Sequence, residues 1–136
     1  MKEDDCSCNP KEVEAILKKI KSCVRRNKYI ISQNDNRKEN RDFIDSYRLT
    51  TDKQKSILLN IEIRDFCYAT HNKHKGFERE ILYIFVPQVP LYCVGTNKLR
   101  KVDIYIKFNL IEQTSSTTVV VISFHRKNKN VEYPFR

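Results

Sequence analysis

Tyr105, Lys107 and His125 are the residues whose types and spacing could do chemistry. Tyr105 and Lys107 alternate with apolar residues in Val102–Leu110, and His125 ends a second β-rich run, Thr118–Arg126. If these runs pair through the polar turn Gln113–Thr117, their apolar faces must coincide, because a one-residue slip turns the whole apolar set to water. That parity puts Ile104, Ile106 and Phe108 on one face with Val120, Ile122 and Phe124. The other face then carries Asp103, Tyr105 and Lys107 beside Ser123 and His125. Two registers satisfy the parity, one placing Asp103 and the other Tyr105 opposite His125.

A phenol, an ammonium, an imidazole and a carboxylate on one surface suit cleavage of RNA by its own 2′-hydroxyl. The reaction needs a base for that hydroxyl, positive charge for the crowded phosphate, and an acid for the leaving 5′-oxygen. Imidazole fits the proton transfers because its ordinary pKa lies at about 6.5. The plain alternative is a solvated strand face, on which outward Tyr, Lys and His are ordinary. A second cluster, His71-Asn72-Lys73-His74-Lys75-Gly76, reads in three ways: a histidine pair for a metal, a basic loop that grips phosphate, or a solvated charge run. No Cys or carboxylate pattern completes a metal site, so neither a metal nor another cofactor is expected. His71, Lys73 and Lys75, with the run Arg126-Lys127-Asn128-Lys129 just past His125, form a candidate phosphate-tracking strip.

The elements that must position these residues fall into two halves. Asn9-Pro10 reads as a helix start, and Val13, Ile16, Leu17, Ile20 and Val24 recur at helical spacing to about Arg26. Tyr29–Ile31 reads as a short strand, Ser32–Asn40 as a polar loop, and Asp42–Leu49 as a short helix. Thr51-Asp52-Lys53-Gln54 fits a capping box opening a further helix with Ile57, Leu58 and Ile61 inward. From Ile81 the period changes to that of strands, and Pro87 and Pro90 demote Val86–Leu91 to an irregular or edge connection. The expectation is one α+β domain over 1–136, helices packed on a mostly antiparallel sheet, with residues 1–9 frayed.

Composition narrows the partners. The chain has 136 residues and a formal charge of +9, which favours a polyanion. Only two residues are glycine, which excludes folds built on a glycine-rich phosphate loop. Five cysteines without a CxxC pair read as reduced thiols, and no signal peptide or membrane span is legible, so a cytoplasmic protein without a membrane partner is expected.

Three stretches, in order, resemble a known family. They are Ile81-Leu82-Tyr83-Ile84-Phe85, then Val102–Phe108, then Val121-Ile122-Ser123-Phe124-His125 with Tyr133-Pro134-Phe135. Together they resemble toxins of the MqsR family, the motility quorum-sensing regulator group within the RelE-like mRNA interferases. The resemblance covers Lys11 to Arg136. It implies a RelE-like fold, metal-independent cleavage of mRNA (free or on the ribosome), and a cognate antitoxin protein as partner. Tyr105 matches the family's strand tyrosine, Lys107 the lysine beside it, and His125 a position where members carry lysine or histidine. Two positions depart from the pattern. Tyr68 stands where the family has an active-site lysine, which Lys73 or Lys75 would replace, and Ile84 stands where it has a functional glutamine. The alternative, which these departures favour, is a non-catalytic module of the same fold that binds RNA or an acidic protein.

Overall fold

Asn9 and Pro10 start helix α1 (Pro10–Arg25) in the way their chemistry dictates. The Asn9 side chain accepts the Glu12 N–H at 2.9 Å, and the Glu12 carboxylate accepts the Asn9 N–H at 3.1 Å. The computed structural model describes residues 5–96 and 98–136. Val13, Leu17, Ile20 and Val24 are buried along one stripe of α1, each worth about 1.5–3 kcal/mol of hydrophobic burial. Two further helices follow, α2 (Lys38–Ser46) and α3 (Thr51–Leu59). The cap of α3 is Thr50 rather than Thr51, with its hydroxyl accepting the Lys53 N–H at 3.2 Å. Gln54 does not close a capping box; its amide donates to the Leu49 carbonyl at 2.8 Å.

The strands are β1 (Asp5–Cys6), β2 (Tyr29–Ile31), β3 (Phe66–His71), β4 (Ile81–Phe85), β5 (Gln88–Tyr92), β6 (Leu99–Glu112) and β7 (Thr117–Arg126). Their order is β1-β3-β4-β6-β7-β2, with β5 on the first part of β6. Every pairing is antiparallel except β2 with β7. The chain is thus α+β, its N-terminal helices packed on a mostly antiparallel sheet. All three helices contribute to the core on one sheet face, where Phe43 meets Phe124 and Phe85 meets Phe66 and Phe108. No helix among the described residues is long and apolar enough to cross a membrane.

The N-terminal expectation needs correcting for residues 5–9, since Asp5 and Cys6 pair with Thr70 and Ala69 of β3 and Asn9 caps α1; residues 1–4 lie outside the described residues. β4 and β5 are successive parts of one arm of a long hairpin with β6, and the register is the same on both sides of Val86–Pro87. At the break the Val86 N–H donates to the Asp65 carbonyl on the β3 side (2.9 Å), and the Pro87 carbonyl accepts from Ile104 (3.0 Å). Among the described residues β5 pairs only with β6, so Pro90 sits on an edge strand, where its missing N–H is tolerated.

Two corrections in the middle of the chain share one cause. Ser32–Asn40 is not a loop throughout: Asp35–Arg37 is a 3₁₀ turn, Lys38 starts α2, and Asn40 is buried. The Asn40 amide donates at 2.9 Å to the carbonyls of both Ser32 and Ile122, and its oxygen accepts the Phe124 N–H at 2.8 Å. It thereby clamps a bulge in β7. Tyr105 faces His125 and Lys107 faces Ser123, yet Phe108 faces Val121, which leaves Ile122 as an extra residue. The expected shared face therefore holds only for Phe124. Beyond the bulge Val119 and Val121 enter the core with Phe108, in place of Val120 and Ile122.

Candidate phosphate site on the outer sheet face

The face of the sheet away from the helices carries a row across three strand pairings. Tyr68 of β3 faces Ile84 of β4, Ile84 faces Lys107 of β6, and Lys107 faces Ser123 of β7. The neighbouring pair is Tyr105 with His125, the second of the two registers left open by the pattern. Ile84, Val86, Cys67 and Tyr105 form a small apolar cluster, covered by Val131 and Tyr133 from the C-terminal segment. Tyr105 is consequently buried at 5 % exposure, not the outward residue that alternation implies, and a nucleobase has no access to its ring face.

The polar groups converge above that apolar floor. The Tyr68 and Tyr105 hydroxyls are hydrogen-bonded at 2.6 Å. The His125 ring stacks on Tyr105, 5.5 Å between centroids and 18° between planes. Lys107 Nζ lies 6.0 Å from the Tyr105 ring centre, and Lys129 Nζ lies 5.3 Å from the Tyr105 ring and 5.6 Å from that of Tyr68. Among the described residues Lys107 forms no ion pair. Burial lowers its pKa from the ordinary lysine value, Tyr68 opposes the shift, and the cations Arg37, Lys129 and Lys73 add to it.

Lys107 also opens on a cleft of about 500 Å³, lined by Arg37, His71, Lys73 and His74 above the apolar side chains of Leu82 and Ile122. The bulge delivers Ile122 to this floor. His71 Nδ1 lies 3.0 Å from the Glu78 carbonyl, and His125 Nδ1 lies 2.9 Å from the Arg126 carbonyl. A carbonyl only accepts, so each neutral ring carries its proton on Nδ1 and keeps the Nε2 lone pair as a base.

The structure divides the residues singled out in the sequence. Tyr68, Tyr105 and Lys107 gather at one point, with His71 and Lys73 along the adjoining cleft. His125 reaches the group through Tyr105, while its other side lines a separate cleft with Glu39, Phe43, Arg126 and Lys127. Lys127 is turned to Asp103 at 3.3 Å, so its charge is engaged within the fold, and Lys75 is exposed and absent from the lining of the Lys107 cleft. Lys129, the last cation of the basic run after His125, lies over the rings of Tyr68 and Tyr105. Sequence reasoning missed Arg37, which lies in a 3₁₀ turn where no periodicity marks a face. Among the described residues no group of three or more His, Cys, Asp or Glu could hold a metal ion.

One cysteine gives a direct check on the covering of this face. Burial pushes the Cys67 thiol up to about 12, so it carries almost no thiolate at neutral pH. Iodoacetamide at pH 8 is expected to leave Cys67 unmodified in the native protein and to label it in urea, as read by peptide mass. Native labelling at the rate of an exposed thiol would show that residues 127–136 do not stay on this face. Set against models of known families, characterised proteins and solved structures, the chain shows no match.

Proposed function

We propose that the protein is a metal-independent endoribonuclease of the mRNA-interferase type, the toxin of a toxin–antitoxin pair. The observation that carries the reading is Lys107, a partly buried ammonium whose charged neighbours are Arg37, Lys73 and Lys129, beside a hydrogen-bonded pair of phenols. Like charges gathered on a sheet face beside hydroxyl groups favour an anion, and a phosphodiester is an anion that both the cations and a hydroxyl can meet. The resemblance of three strand segments to MqsR-type toxins supplies the substrate class and the antitoxin. The two imidazoles are its proton-transfer groups. In the reaction the 2′-oxygen bonds to phosphorus and the P–O5′ bond breaks, leaving a 2′,3′-cyclic phosphate and a 5′-hydroxyl. A base takes the 2′-hydroxyl proton and an acid supplies one to the 5′-oxygen. His71 sits in the cleft beside Lys107, and His125 sits behind Tyr105.

Purified protein, incubated with single-stranded RNA alone and with translating ribosomes in the presence of EDTA, is expected to yield cyclic-phosphate ends. His71→Ala and His125→Ala should each slow cleavage by about 10²–10⁴-fold, with partial recovery in added imidazole. A variant that cleaves like wild type loses its histidine's role. Salt-sensitive RNA binding without cleavage in either format, and without growth arrest on expression, would replace this reading with the non-catalytic RNA-binding module, which the burial of Tyr105 and the isoleucine at position 84 favour.

A further inference from the structure

The segment after β7, residues 127–136, has no helix or strand, yet it is fixed at both ends. At its start the Lys127 N–H donates to the Asp103 carbonyl (2.9 Å) and its ammonium pairs with the Asp103 carboxylate (3.3 Å). Further on, the Tyr133 hydroxyl donates to the Val86 carbonyl (2.9 Å), and Phe135 stacks on Phe66 with 5.4 Å between centroids. Arg136 closes the segment, pairing with the buried carboxylate of Asp65 (3.3 Å) and donating to the Arg64 carbonyl (3.1 Å). Between these anchors lies Lys129, above both rings of the Tyr68–Tyr105 pair.

We propose that Lys129 is a phosphate-contacting residue of the site, and that residues 127–136 are a strap whose Arg136–Asp65 latch positions it. The proposal rests on reading the outer face as an RNA phosphate site. An ammonium over two rings gains only about 0.5–1 kcal/mol where it is exposed, which does not explain two lysines converging on one pair of tyrosines. An anion between Lys107 and Lys129 does, since each ammonium then meets a negative oxygen. The strap thus brings a cation to Tyr68 from outside the sheet. Arg136 is a positioning residue, acting through the path of the strap and not by contact with RNA.

The test measures binding of a 2′-O-methyl RNA oligonucleotide, which cannot be cleaved, by fluorescence anisotropy across a salt series. Each phosphate contact adds about 0.7 to the slope of log affinity against log salt for a single strand. Lys129→Met is expected to weaken binding and flatten the slope by about one contact, with Lys129→Arg restoring the slope. Lys11→Met, on α1, should leave it unchanged. Arg136→Met should weaken binding in the wild-type background but add nothing in the Lys129→Met background, since uncoupled sites would be additive. An unchanged slope in Lys129→Met, while Lys107→Met flattens it, overturns the role of Lys129 and leaves the RNA site standing. Additive losses for Arg136 and Lys129 overturn the latch. Absence of wild-type binding at low salt overturns both the strap and the reading on which it rests.

Discussion

Lys107→Met is expected to slow RNA cleavage by about 10²–10³-fold while raising the melting temperature of the free protein. Methionine keeps the length of the side chain and its packing beside Tyr105 but removes the charge. The loss in rate is that of a donor aimed at the phosphate. The gain in stability follows from linkage. The pKa of Lys107 is lowered in the folded chain, chiefly by burial, so the fold disfavours the charged form. That cost is full at pH values below the lowered folded value, where both states are charged. It disappears as pH rises from the folded value towards the ordinary 10.5 of the unfolded chain. At pH 7 the variant should gain on the order of 0.5–2 kcal/mol, the range common for a single stabilising substitution. Above pH 10.5 the two proteins should converge. Scanning calorimetry at several pH values, with cleavage of a defined RNA, measures both effects. A lower melting temperature together with unchanged cleavage would make Lys107 a packing residue.

The second large effect concerns stability alone. Asn40→Leu should lower the unfolding free energy by about 3–5 kcal/mol, because a buried group left without a partner costs about 1–3 kcal/mol. Three groups are orphaned together: the carbonyls of Ser32 and Ile122 and the N–H of Phe124. Leucine also cannot reproduce the flat amide between α2 and β7. Asn40→Asp should be nearly as damaging, since its oxygen can still accept from Phe124 but nothing donates to the two carbonyls. Urea denaturation followed by circular dichroism measures the change. Against a typical total of about 5–15 kcal/mol this is a large fraction, and a loss below about 1 kcal/mol would show that the bulge does not depend on the clamp.

The bulge also shows where the sequence is legible and where it is not. Helix α1, strand β2 and the pairing of β6 with β7 follow from capping chemistry and periodicity, and these suffice for the α+β class. Tyr105 opposite His125 was one of two registers, because alternation fixes parity and leaves the offset open. From Val119 to Ile122 every residue is apolar, so no alternation exists there to reveal an inserted residue. The only sign of it is a lone buried asparagine inside a polar stretch, which composition alone reads as loop. The charge of Lys129 is legible in the basic run after His125, but its place over the two tyrosines is not, for a different reason. Irregular backbone has no period, and its position depends on anchors as distant in sequence as Asp65 and Asp103. The burial of Tyr105 was lost with it, since alternation tells which face a side chain takes and not whether another segment covers that face.

Strand β6 is shared by three partners: β5 on its first part, β4 further along, and β7 on the opposite edge. Tyr105 and Lys107 stand where it is paired or flanked on both sides, so no rearrangement of their backbone is possible without breaking two ladders at once. Recognition at this face is therefore preorganised. Little backbone entropy is left to lose on binding, and the adjustable parts are side-chain rotamers and the irregular segment above the tyrosines. A ligand of the right spacing should associate without a slow conformational step, its on-rate governed by charge. One of the wrong spacing meets a surface that does not adapt to it.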